Sequence, residues 1–487
     1  MKLSELIEGT GAQIQGLDVH IKGLALNSAG VEQGFLFAAV AGVKTHGIQF
    51  LDDAVSRGAV AVLTDADNAA KVTEKNITAV ISANPRITLA KLAAKFYQPA
   101  PATIAAITGT NGKTSGTVFT RQIWQQLGRK AASMGTIGII APGWTEDSGL
   151  TTPDVINFHK YLQKMSKLGI THVAFEAGSH GLHQHRIAGV PVDVAAFTNL
   201  TRDHLDYHGT MENYFDAKLI LFAENLKSTG VAVVNSDIEF FPKLKELCSA
   251  RKVRLITFGL GKSDIQIKEM IPKHDHQMVT YSVFGKSYKV RLPLIGAFQA
   301  ANIACAIGMA NGSGEDIDSI MPCLETLEGV PGRMELVAKA PSGAPVFVDY
   351  AHTPDAIDNV LKSLRPHTKG KLAIIFGCGG DRDPGKRPIM GKIAVENADY
   401  VIVTDDNPRT EEPAKIREQI MEAAKGAEEI GDRAKAIAHG IASLGKDDIL
   451  VIAGKGHEHG QIVGKTVLPF DDADVARKAA IQLKGVA

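Results

Sequence analysis

A glycine-rich segment that ends in a lysine and two hydroxyl residues is the strongest chemical signal in the chain. Residues 107–115 read Ile-Thr-Gly-Thr-Asn-Gly-Lys-Thr-Ser. Glycines let backbone N–H groups close on phosphate oxygens, Lys113 would neutralise the β- and γ-phosphates, and the Thr114 hydroxyl would bind Mg²⁺. Ile107 stands where the full GxxxxGK[ST] pattern has its first glycine, so an ordinary turn before a helix is the alternative interpretation. We interpret the segment as a phosphate-binding loop.

Glu176, His204 and Lys218 form a second candidate group. Glu176 lies at the end of the strand-like run HVAFEA, and His204 follows the strand-like run VAAFTN. In a parallel sheet both would lie at the carboxyl edge beside the phosphate loop, where a second metal ion could bind. Because five histidines occur between residues 180 and 208, a zinc site is the alternative, but no HExxH or cysteine-bearing spacing supports it.

Four polar clusters follow strand-like runs towards the C-terminus. They are DYAH at 349–352, GCGGDRD at 377–383, DDNPR at 405–409 and GKGHE at 454–458. A single cluster of this kind is usually only a turn. Four clusters at the same edge of one sheet predict a binding crevice.

The elements that must position these residues alternate between strand-like and helix-like patterns. Strands are predicted at 34–40, 59–65, 103–108, 172–177 and 194–199, and at VFVDY, LAIIFG, YVIVTDD and DILVIAG further on. Helices are predicted by three apolar faces: Ile48, Leu51 and Val55; Phe119, Ile123 and Leu127 before Gly128; and Ile357, Val360, Leu361 and Leu364 before Pro366. The alternation predicts an α/β protein.

The pattern breaks at two places, which predicts three domains. A proline-punctuated connection, AKFYQPAP, and the hinge-like Gly329–Gly332 divide the chain into residues 1–94, 95–331 and 332–487. We expect a small N-terminal α/β domain, a central P-loop ATPase-like parallel sheet and a C-terminal Rossmann-like, doubly wound domain.

Composition excludes several classes of protein. The 487 residues contain 53 Lys+Arg and 53 Asp+Glu, so a nucleic-acid or membrane partner is not expected and phosphate affinity must be local. A hydrophobic content of 45% excludes a mainly disordered chain. The four cysteines form no CxxC pair, which favours the reducing cytoplasm. No apolar run reaches the ~18 residues of a membrane span, and we expect a soluble monomer.

Ten motifs, in order, resemble the Mur ligase family through essentially the whole chain. They are GTNGKTS, TTP, ExxSH, TNLTRDHLDYH, the AK that contains Lys218, GRME, DYAHTPD, GCGGDRD, DNPR and AGKGHE. The resemblance implies an ATP-driven amide ligase of peptidoglycan synthesis with an acyl phosphate intermediate and two Mg²⁺ sites. It also implies the substrates UDP-N-acetylmuramoyl-L-alanyl-D-glutamate and meso-2,6-diaminopimelate.

The resemblance assigns roles to individual residues. Metal ligands would be Thr114, Glu176, His204 and Lys218, the last of them carbamylated, and these residues with Lys113 would form the catalytic group. ATP would contact Gly109, Thr110, Asn111, Gly112, Lys113, Thr114, Ser115, Asn302, Arg333 and Asp349. The UDP-sugar dipeptide would contact Ser28, Thr151, Thr152, Gln184 and Arg186. Diaminopimelate would contact Arg382, Asp406, Asn407, Arg409, Gly454 and Glu458.

The sequence departs from the family pattern at three places. The family's Asp-Ser-Arg reads Asn27-Ser28-Ala29, its Glu-x-Ser-Ser-His has Gly178 at the first serine, and its FNxxN has Gln299 at the first asparagine. Because Lys113 and all four metal-ligand positions are retained, we expect an active enzyme with altered local substrate contacts.

Three other functions compete with this interpretation. A lysine-adding member of the family would find an arginine in DNPR a poor partner for a methylene ammonium. A folylpolyglutamate or cyanophycin type of ligase should lack DNPR combined with GKGHE. A non-catalytic scaffold would have no need of Lys113, Glu176, His204 and Lys218.

Overall fold

The computed structural model describes residues 1–42 and 45–484, and the chain divides into two compact units. The first contains residues 1–257 and 308–315, and the second contains residues 258–307 and the chain from 316 onwards. An α/β fold is confirmed in both units. The three domain boundaries expected from the sequence stay a prediction, and the last three residues of the expected C-terminal domain lie outside the described residues.

The first unit begins with a small sheet and four helices. The strands are β1 (Gln13–Gln15), β2 (Gly23–Ala25), β3 (Phe35–Ala38), β4 (Ala59–Thr64) and β5 (Thr78–Ile81). The helices are α1 (Leu3–Ile7), α2 (Leu51–Ser56), α3 (Ala69–Thr73) and α4 (Pro85–Phe96). The strand order is β1-β5-β4-β3-β2, and β1 alone among these pairs runs antiparallel to its neighbour.

Helix α2 is shorter than the apolar spacing from Ile48 predicts. Residues Gly47–Phe50 form a 3₁₀ turn, and the His46 ring accepts a hydrogen bond from the N–H of Ile48. This capping contact holds the segment in a tighter turn, so the α-helix begins only at Leu51.

The same unit contains a second, larger sheet built on buried apolar strands. Its strands are β6 (Thr103–Thr108), β7 (Ala131–Gly135), β8 (Gly138–Ala141), β9 (Trp144–Glu146), β10 (His172–Glu176), β11 (Val192–Phe197) and β12 (Leu226–Asn235). Its helices are α5 (Lys113–Gln126), α6 (Val155–Lys167), α7 (Ser179–His183), α8 (Leu205–His208), α9 (Met211–Ile220) and α10 (Phe241–Ala250). The order is β12-β11-β6-β10-β7-β8-β9, with the first five strands parallel.

This order puts β6 between β11 and β10. The turns that follow these three parallel strands therefore meet at one sheet edge. Near-continuous burial along β6, β10 and β11 is typical of parallel strands that are covered on both faces.

The chain passes between the units three times: within β13 (Arg254–Gly259), within α11 (Ala297–Gly312) and between Glu315 and Asp316. The second unit contains an antiparallel meander, β14 (Ile265–Pro272), β15 (Gln277–Val283) and β16 (Lys286–Leu292), and the helix α12 (Ile317–Cys323). The sequence interpretation did not include this meander. The alternation of Val279, Tyr281 and Val283 with Thr280 and Ser282 is the sequence signal that could have found it.

The second unit also contains a six-stranded sheet. Its strands are β17 (Glu335–Lys339), β18 (Pro345–Asp349), β19 (Leu372–Phe376), β20 (Tyr400–Val403), β21 (Glu428–Glu429) and β22 (Ile449–Ala453). Its order is β17-β18-β22-β19-β20-β21, and β17 is the antiparallel strand. The carboxyl ends of β18, β22, β19 and β20 share one edge.

Helices and a hairpin complete the second unit. They are α13 (Pro354–Leu364), α14 (Lys386–Asn397), α15 (Pro413–Met421), α16 (Arg433–Ala442) and α17 (Asp472–Lys484), with the hairpin β23 (Gly460–Val463) and β24 (Thr466–Pro469). The apolar face predicted for α13 is confirmed, because Ile357, Val360, Leu361 and Leu364 are all buried. Within the described ranges, no helix combines the length and the apolar character needed to cross a membrane.

The buried imidazole of His159 on α6 should make stability depend on pH. Burial lowers its pKa from 6.5 to about 4. Because the unfolded chain then binds the proton more tightly, the free energy of unfolding should fall as the pH drops from about 6.5 to about 4. Between neutral pH and about pH 5, the free energy of unfolding should fall in both proteins. In His159→Phe it should fall by up to about 2 kcal/mol less than in the native protein. Urea denaturation at both pH values measures this, and an unchanged pH dependence would contradict it.

Candidate functional site

The predicted glycine-rich loop lies between a strand and a helix, as its interpretation requires. Strand β6 ends at Thr108 and α5 begins at Lys113. Gly109 has a φ of 138°, and a Cβ atom there would lie 2.0 Å from Oγ1 of Thr198. The turn after β11 therefore comes too close for any side chain at position 109.

Residues after β11 hold the loop through its backbone. The N–H of Thr110 donates to the Asn199 carbonyl at 2.9 Å, and the N–H of Asn111 donates to the Asn199 side-chain oxygen at 2.8 Å. The Thr198 hydroxyl donates to the Asn111 carbonyl at 2.6 Å. These contacts hold the loop backbone in one conformation, and such preorganisation lowers the entropic cost of binding phosphate.

Two lysines donate to the same carbonyl at the start of this loop. Lys113 Nζ lies 2.9 Å from the Gly109 oxygen and 2.7 Å from the Thr110 oxygen. Lys218 Nζ, on α9, lies 2.8 Å from the same Gly109 oxygen and is almost fully buried. Burial, and then the like charge of Lys113, lower the pKa of Lys218 well below its usual range. The Lys218 ammonium therefore loses its proton, to give a neutral amine, more readily than an ordinary lysine does.

The Glu176 carboxylate is buried at the end of β10 and is held by Thr136. Its Oε1 accepts from the Thr136 N–H at 2.8 Å, and its Oε2 accepts from the Thr136 hydroxyl at 3.2 Å. The Thr136 hydroxyl also lies 3.0 Å from the Thr151 hydroxyl. Sequence reasoning missed Thr136, which lies in a turn with no recognisable motif, although it links a candidate metal ligand to a candidate substrate contact.

A second network joins three of the candidate dipeptide contacts. The Thr152 hydroxyl donates to the Glu176 carbonyl at 2.9 Å and accepts from the Gly178 N–H at 3.0 Å. Arg186 Nη1 donates to the Thr152 carbonyl at 2.8 Å, and Arg186 Nη2 donates to the Gln184 side-chain oxygen at 2.9 Å. The structure thus brings Thr151, Thr152, Gln184 and Arg186 together beside Glu176.

The histidine rings of this region contact one another in edge-to-face and tilted arrangements. The ring centroids of His180 and His204 are 4.8 Å apart, and His204 adopts a left-handed backbone with a φ of 51°. His208 contacts the Ser179 hydroxyl at 3.0 Å, and burial followed by neighbouring positive charge lowers its pKa to about 4. Across residues 1–42 and 45–484, no group of three or more His, Cys, Asp or Glu side chains has a metal-binding arrangement.

The donor chemistry of the predicted metal ligands nevertheless fits Mg²⁺ on one condition. The Glu176 carboxylate and the Thr114 hydroxyl are hard oxygen donors of the kind that Mg²⁺ prefers. An ammonium at Lys218 would repel the ion, whereas a carbamate there would supply a third oxygen donor. The fit therefore depends on modification of a lysine whose lowered pKa makes the reactive amine available.

The candidate dipeptide residue Ser28 lies in the small N-terminal sheet region. Ser28 is buried. Its side chain forms a hydrogen bond with the Asp53 carboxylate, and this bond, followed by the one from Arg57, lowers the pKa of Asp53. Arg57 Nε lies 2.9 Å from Asp53 Oδ1. A guanidinium thus lies near Ser28 in a chain that has Ala29 where the family has arginine.

The four polar clusters of the second unit are joined to one another by hydrogen bonds, and the crevice predicted at them stays a prediction. The Gly454 N–H donates to the Asp349 carbonyl at 3.1 Å, and the Gly380 N–H donates to the Asn407 carbonyl at 2.9 Å. Asn407 Nδ2 donates to Glu458 Oε2 at 2.9 Å. The loops after β18, β19, β20 and β22 therefore form one continuous rim.

Arg409 is oriented by carbonyl groups of this rim. Its Nη1 donates to the Gly380 oxygen at 2.9 Å and, more weakly, to the Asn407 oxygen at 3.4 Å. Asp406, the neighbour that could have formed an ion pair with it, instead accepts from the N–H of Asn407 at 2.6 Å. Arg382 is exposed on the same rim, where its Nη1 contacts the Asp381 carbonyl at 3.3 Å.

The remaining candidate ATP contacts also lie in the second unit. The Arg333 guanidinium lies 4.9 Å from the centre of the Tyr350 ring. The Asp349 carboxylate accepts from the N–H groups of Met334 and Ala351, and burial raises its pKa. Asn302 Nδ2 donates to the Gln299 side-chain oxygen at 3.3 Å.

Models of three protein-family domains match the chain. The Mur ligase family catalytic domain matches residues 20–108, the Mur ligase middle domain matches residues 107–310, and the Mur ligase glutamate ligase domain matches residues 332–456. Together they cover most of the chain.

Curated relatives and a solved structure are similar over nearly full length. A UDP-N-acetylmuramoyl-L-alanyl-D-glutamate--2,6-diaminopimelate ligase of Bradyrhizobium diazoefficiens is 48% identical over 98% of this chain and 99% of its own. The enzyme of the same name from Zymomonas mobilis is 45% identical over 99% of both chains. A solved structure titled with that enzyme name is 32% identical, covers 99% of both chains and has a TM-score of 0.74.

Two nearby glycines should respond differently to a methyl group. A Cβ on Gly181 would lie 2.8–3.0 Å from the Thr152 side chain, whereas a Cβ on Gly178 would meet nothing closer than 3.5 Å. We expect Gly181→Ala to lower the free energy of unfolding by about 1–3 kcal/mol through overpacking. The matched control Gly178→Ala should change it by less than about 0.5 kcal/mol. Denaturant titration of both variants tests this, and equal effects would contradict it.

Proposed function

This chain belongs to the Mur ligase family, and we propose that it joins meso-2,6-diaminopimelate to UDP-N-acetylmuramoyl-L-alanyl-D-glutamate with hydrolysis of ATP to ADP and phosphate. One observation supports the choice of diaminopimelate as the amino acid. Asn407 forms hydrogen bonds with both Arg409 and Glu458, so that a cation and a carboxylate lie on the same rim. The proposed location is the cytoplasm, where ATP and the nucleotide substrate occur, and the proposed acting form is a monomer with no nucleic-acid or membrane partner.

The first proposed step is phosphoryl transfer to the γ-carboxylate of D-glutamate. A carboxylate oxygen attacks the γ-phosphorus of ATP, the bond to the β,γ-bridging oxygen breaks, and ADP leaves. This transfer needs positioning and charge neutralisation more than covalent help from the protein. Lys113 supplies a cation at the start of the loop, and the backbone contacts of Thr110 and Asn111 keep that loop in place.

The proposed metal ligands are Thr114, Glu176, His204 and a carbamylated Lys218. Mg²⁺ held by these residues would neutralise phosphate charge and polarise the phosphoryl oxygens. Thr136 keeps the Glu176 carboxylate in one orientation through both of its oxygens. The dipeptide end of the substrate would contact Thr151, Thr152, Gln184 and Arg186, which are already joined to Glu176 and to one another.

The second proposed step is attack of the diaminopimelate amine on the acyl phosphate. The amine nitrogen bonds to the carbonyl carbon, a tetrahedral intermediate forms, and the carbon–oxygen bond to phosphate breaks as the amine loses a proton. The distal end of diaminopimelate carries both a carboxylate and an ammonium. Arg409 and Arg382 are suited to the carboxylate because a guanidinium binds it through two N–H groups, and Glu458 is suited to the ammonium.

The amino-acid preference should depend on Arg409. Lysine lacks the distal carboxylate and would leave the guanidinium unmatched, at a cost of about 2–5 kcal/mol, or roughly 30-fold to several thousand-fold in specificity constant. ADP release measured with each amino acid should therefore show that preference in the native enzyme. Arg409→Ala should remove most of it, whereas Arg365→Ala, at an exposed pair with Asp399, should not.

Each other outcome identifies a competing function. Equal specificity constants for lysine and diaminopimelate, or an unchanged preference in Arg409→Ala, would overturn the assignment of diaminopimelate. ADP release with the nucleotide dipeptide and lysine, but not with the dipeptide and diaminopimelate, would identify a lysine-adding ligase. No ADP release with the nucleotide dipeptide and either amino acid would overturn the proposed activity, in favour of a non-catalytic member of the family or a folylpolyglutamate or cyanophycin type of ligase.

Lys218 should carry a carbamate in the active enzyme. Its neutral amine would attack CO2, forming a nitrogen–carbon bond and releasing a proton, and the remaining N–H could still donate to the Gly109 carbonyl. Carbon-13 NMR of enzyme equilibrated with labelled bicarbonate should show a carbamate signal that is missing in Lys218→Ala. Turnover in that variant should fall by about 10²–10³-fold or more, while the control Lys227→Ala should keep both signal and turnover. An active native enzyme without the signal would contradict the prediction.

A further inference from the structure

The buried lysine that follows Gly454 is used by none of the steps above. Lys455 is 0% exposed, although it lies in a rim whose neighbouring residues are polar. Its Nζ donates to Asn407 Oδ1 at 2.8 Å and to the Gly460 carbonyl at 2.6 Å, and it lies 3.6 Å from Glu458 Oε2. Burying a lysine is costly unless its donors are matched. These contacts supply the match, and each of them leads to the amino-acid rim or to the hairpin beside it.

Lys455 determines which way the Asn407 amide points. Oδ1 of Asn407 receives two groups that can only donate, the Lys455 ammonium and the Ile462 N–H at 2.9 Å. The Nδ2 group is therefore directed to the opposite side, where it donates to Glu458 Oε2 at 2.9 Å. Without the Lys455 donor, one N–H alone would maintain this orientation, and Glu458 would lose its nearby cation.

Lys455 also anchors the hairpin β23–β24, which in turn holds Arg409. The Gly460 carbonyl that accepts from Lys455 is at the start of β23. Two residues further on, the Ile462 carbonyl accepts from the Arg409 N–H at 3.0 Å, and the Gly464 N–H donates to the Arg409 carbonyl at 2.7 Å. The backbone of Arg409 thus rests on the hairpin, while its side chain reaches the Gly380 carbonyl.

We propose that Lys455 is a positioning residue on which recognition of the amino acid's distal end depends. Lys455 orients Asn407 and Glu458, and it stabilises the hairpin that holds the backbone of Arg409. This inference rests on the proposed function. It assigns Lys455 no contact with substrate. Its effect should appear in amino-acid recognition and not in ATP binding.

The test compares Lys455→Met with the native enzyme in full-length form. Specificity constants for diaminopimelate and for lysine, measured on the same preparation, give a ratio that does not depend on the fraction of folded enzyme. We expect Lys455→Met to raise the KM for diaminopimelate and to lower its specificity constant by about 10- to 100-fold. The ratio should shift towards lysine, because lysine does not use Arg409. The KM for ATP should stay within about twofold of its native value.

Two further variants complete the experiment. Lys465→Met, at an exposed residue of the same hairpin, controls for loss of a lysine and should keep the native ratio. Lys455→Gln restores one side-chain donor and should recover part of the preference. If the native enzyme does not prefer diaminopimelate, the proposed function fails. If it does and Lys455→Met keeps the native ratio, or if neither Lys455 variant folds, the positioning role is overturned.

Discussion

The carbonyl oxygen of Gly109 accepts hydrogen bonds from two lysines, and the candidate site of the first unit depends on that shared acceptor. It brings the first residue of α5 and a buried residue of α9 to the start of one loop. Two positive charges so close together are unfavourable unless one is neutralised, and burial decides that Lys218 is the one that loses its proton more readily. Lys113 then supplies the positive charge that attracts an anion to the loop.

In both units, parallel strand pairing puts the ends of several strands at one edge of a sheet, and the residues at the two edges are suited to different chemistry. In the first, parallel pairing puts the ends of β6, β10 and β11 side by side, and the N–H of Ala177 and of Thr198 each donate to β6 carbonyls. In the second, the ends of four parallel strands form the rim that carries Asn407, Arg409 and Glu458. Strand register is thus what brings residues that are distant in sequence to within hydrogen-bond distance.

Local sequence signals predicted the parts of the fold that depend on short-range pattern. The apolar face of α13 and the strand–loop–helix around Lys113 could be found because their spacing is a property of single elements. The edge of the second sheet was predicted because four polar clusters each follow an apolar strand. Thr136 was missed for the opposite reason, and Lys455 was named only as part of the GKGHE cluster, with no role of its own. The roles of these two residues depend on contacts with Glu176 and Asn407, which are 40 and 48 residues away, and a local pattern does not show such contacts.

The hairpin β23–β24 pairs with no other strand of the described sheets apart from an isolated bridge at Arg409. A two-stranded ribbon has little independent stability, and Val463, Val467 and Leu468 are exposed on this one. The position of Arg409 on the rim therefore depends on the hairpin β23–β24, an element with few buried contacts. Local opening of the hairpin would release Arg409 while both sheets stayed folded, so recognition of the amino acid is thermodynamically separable from the integrity of the fold.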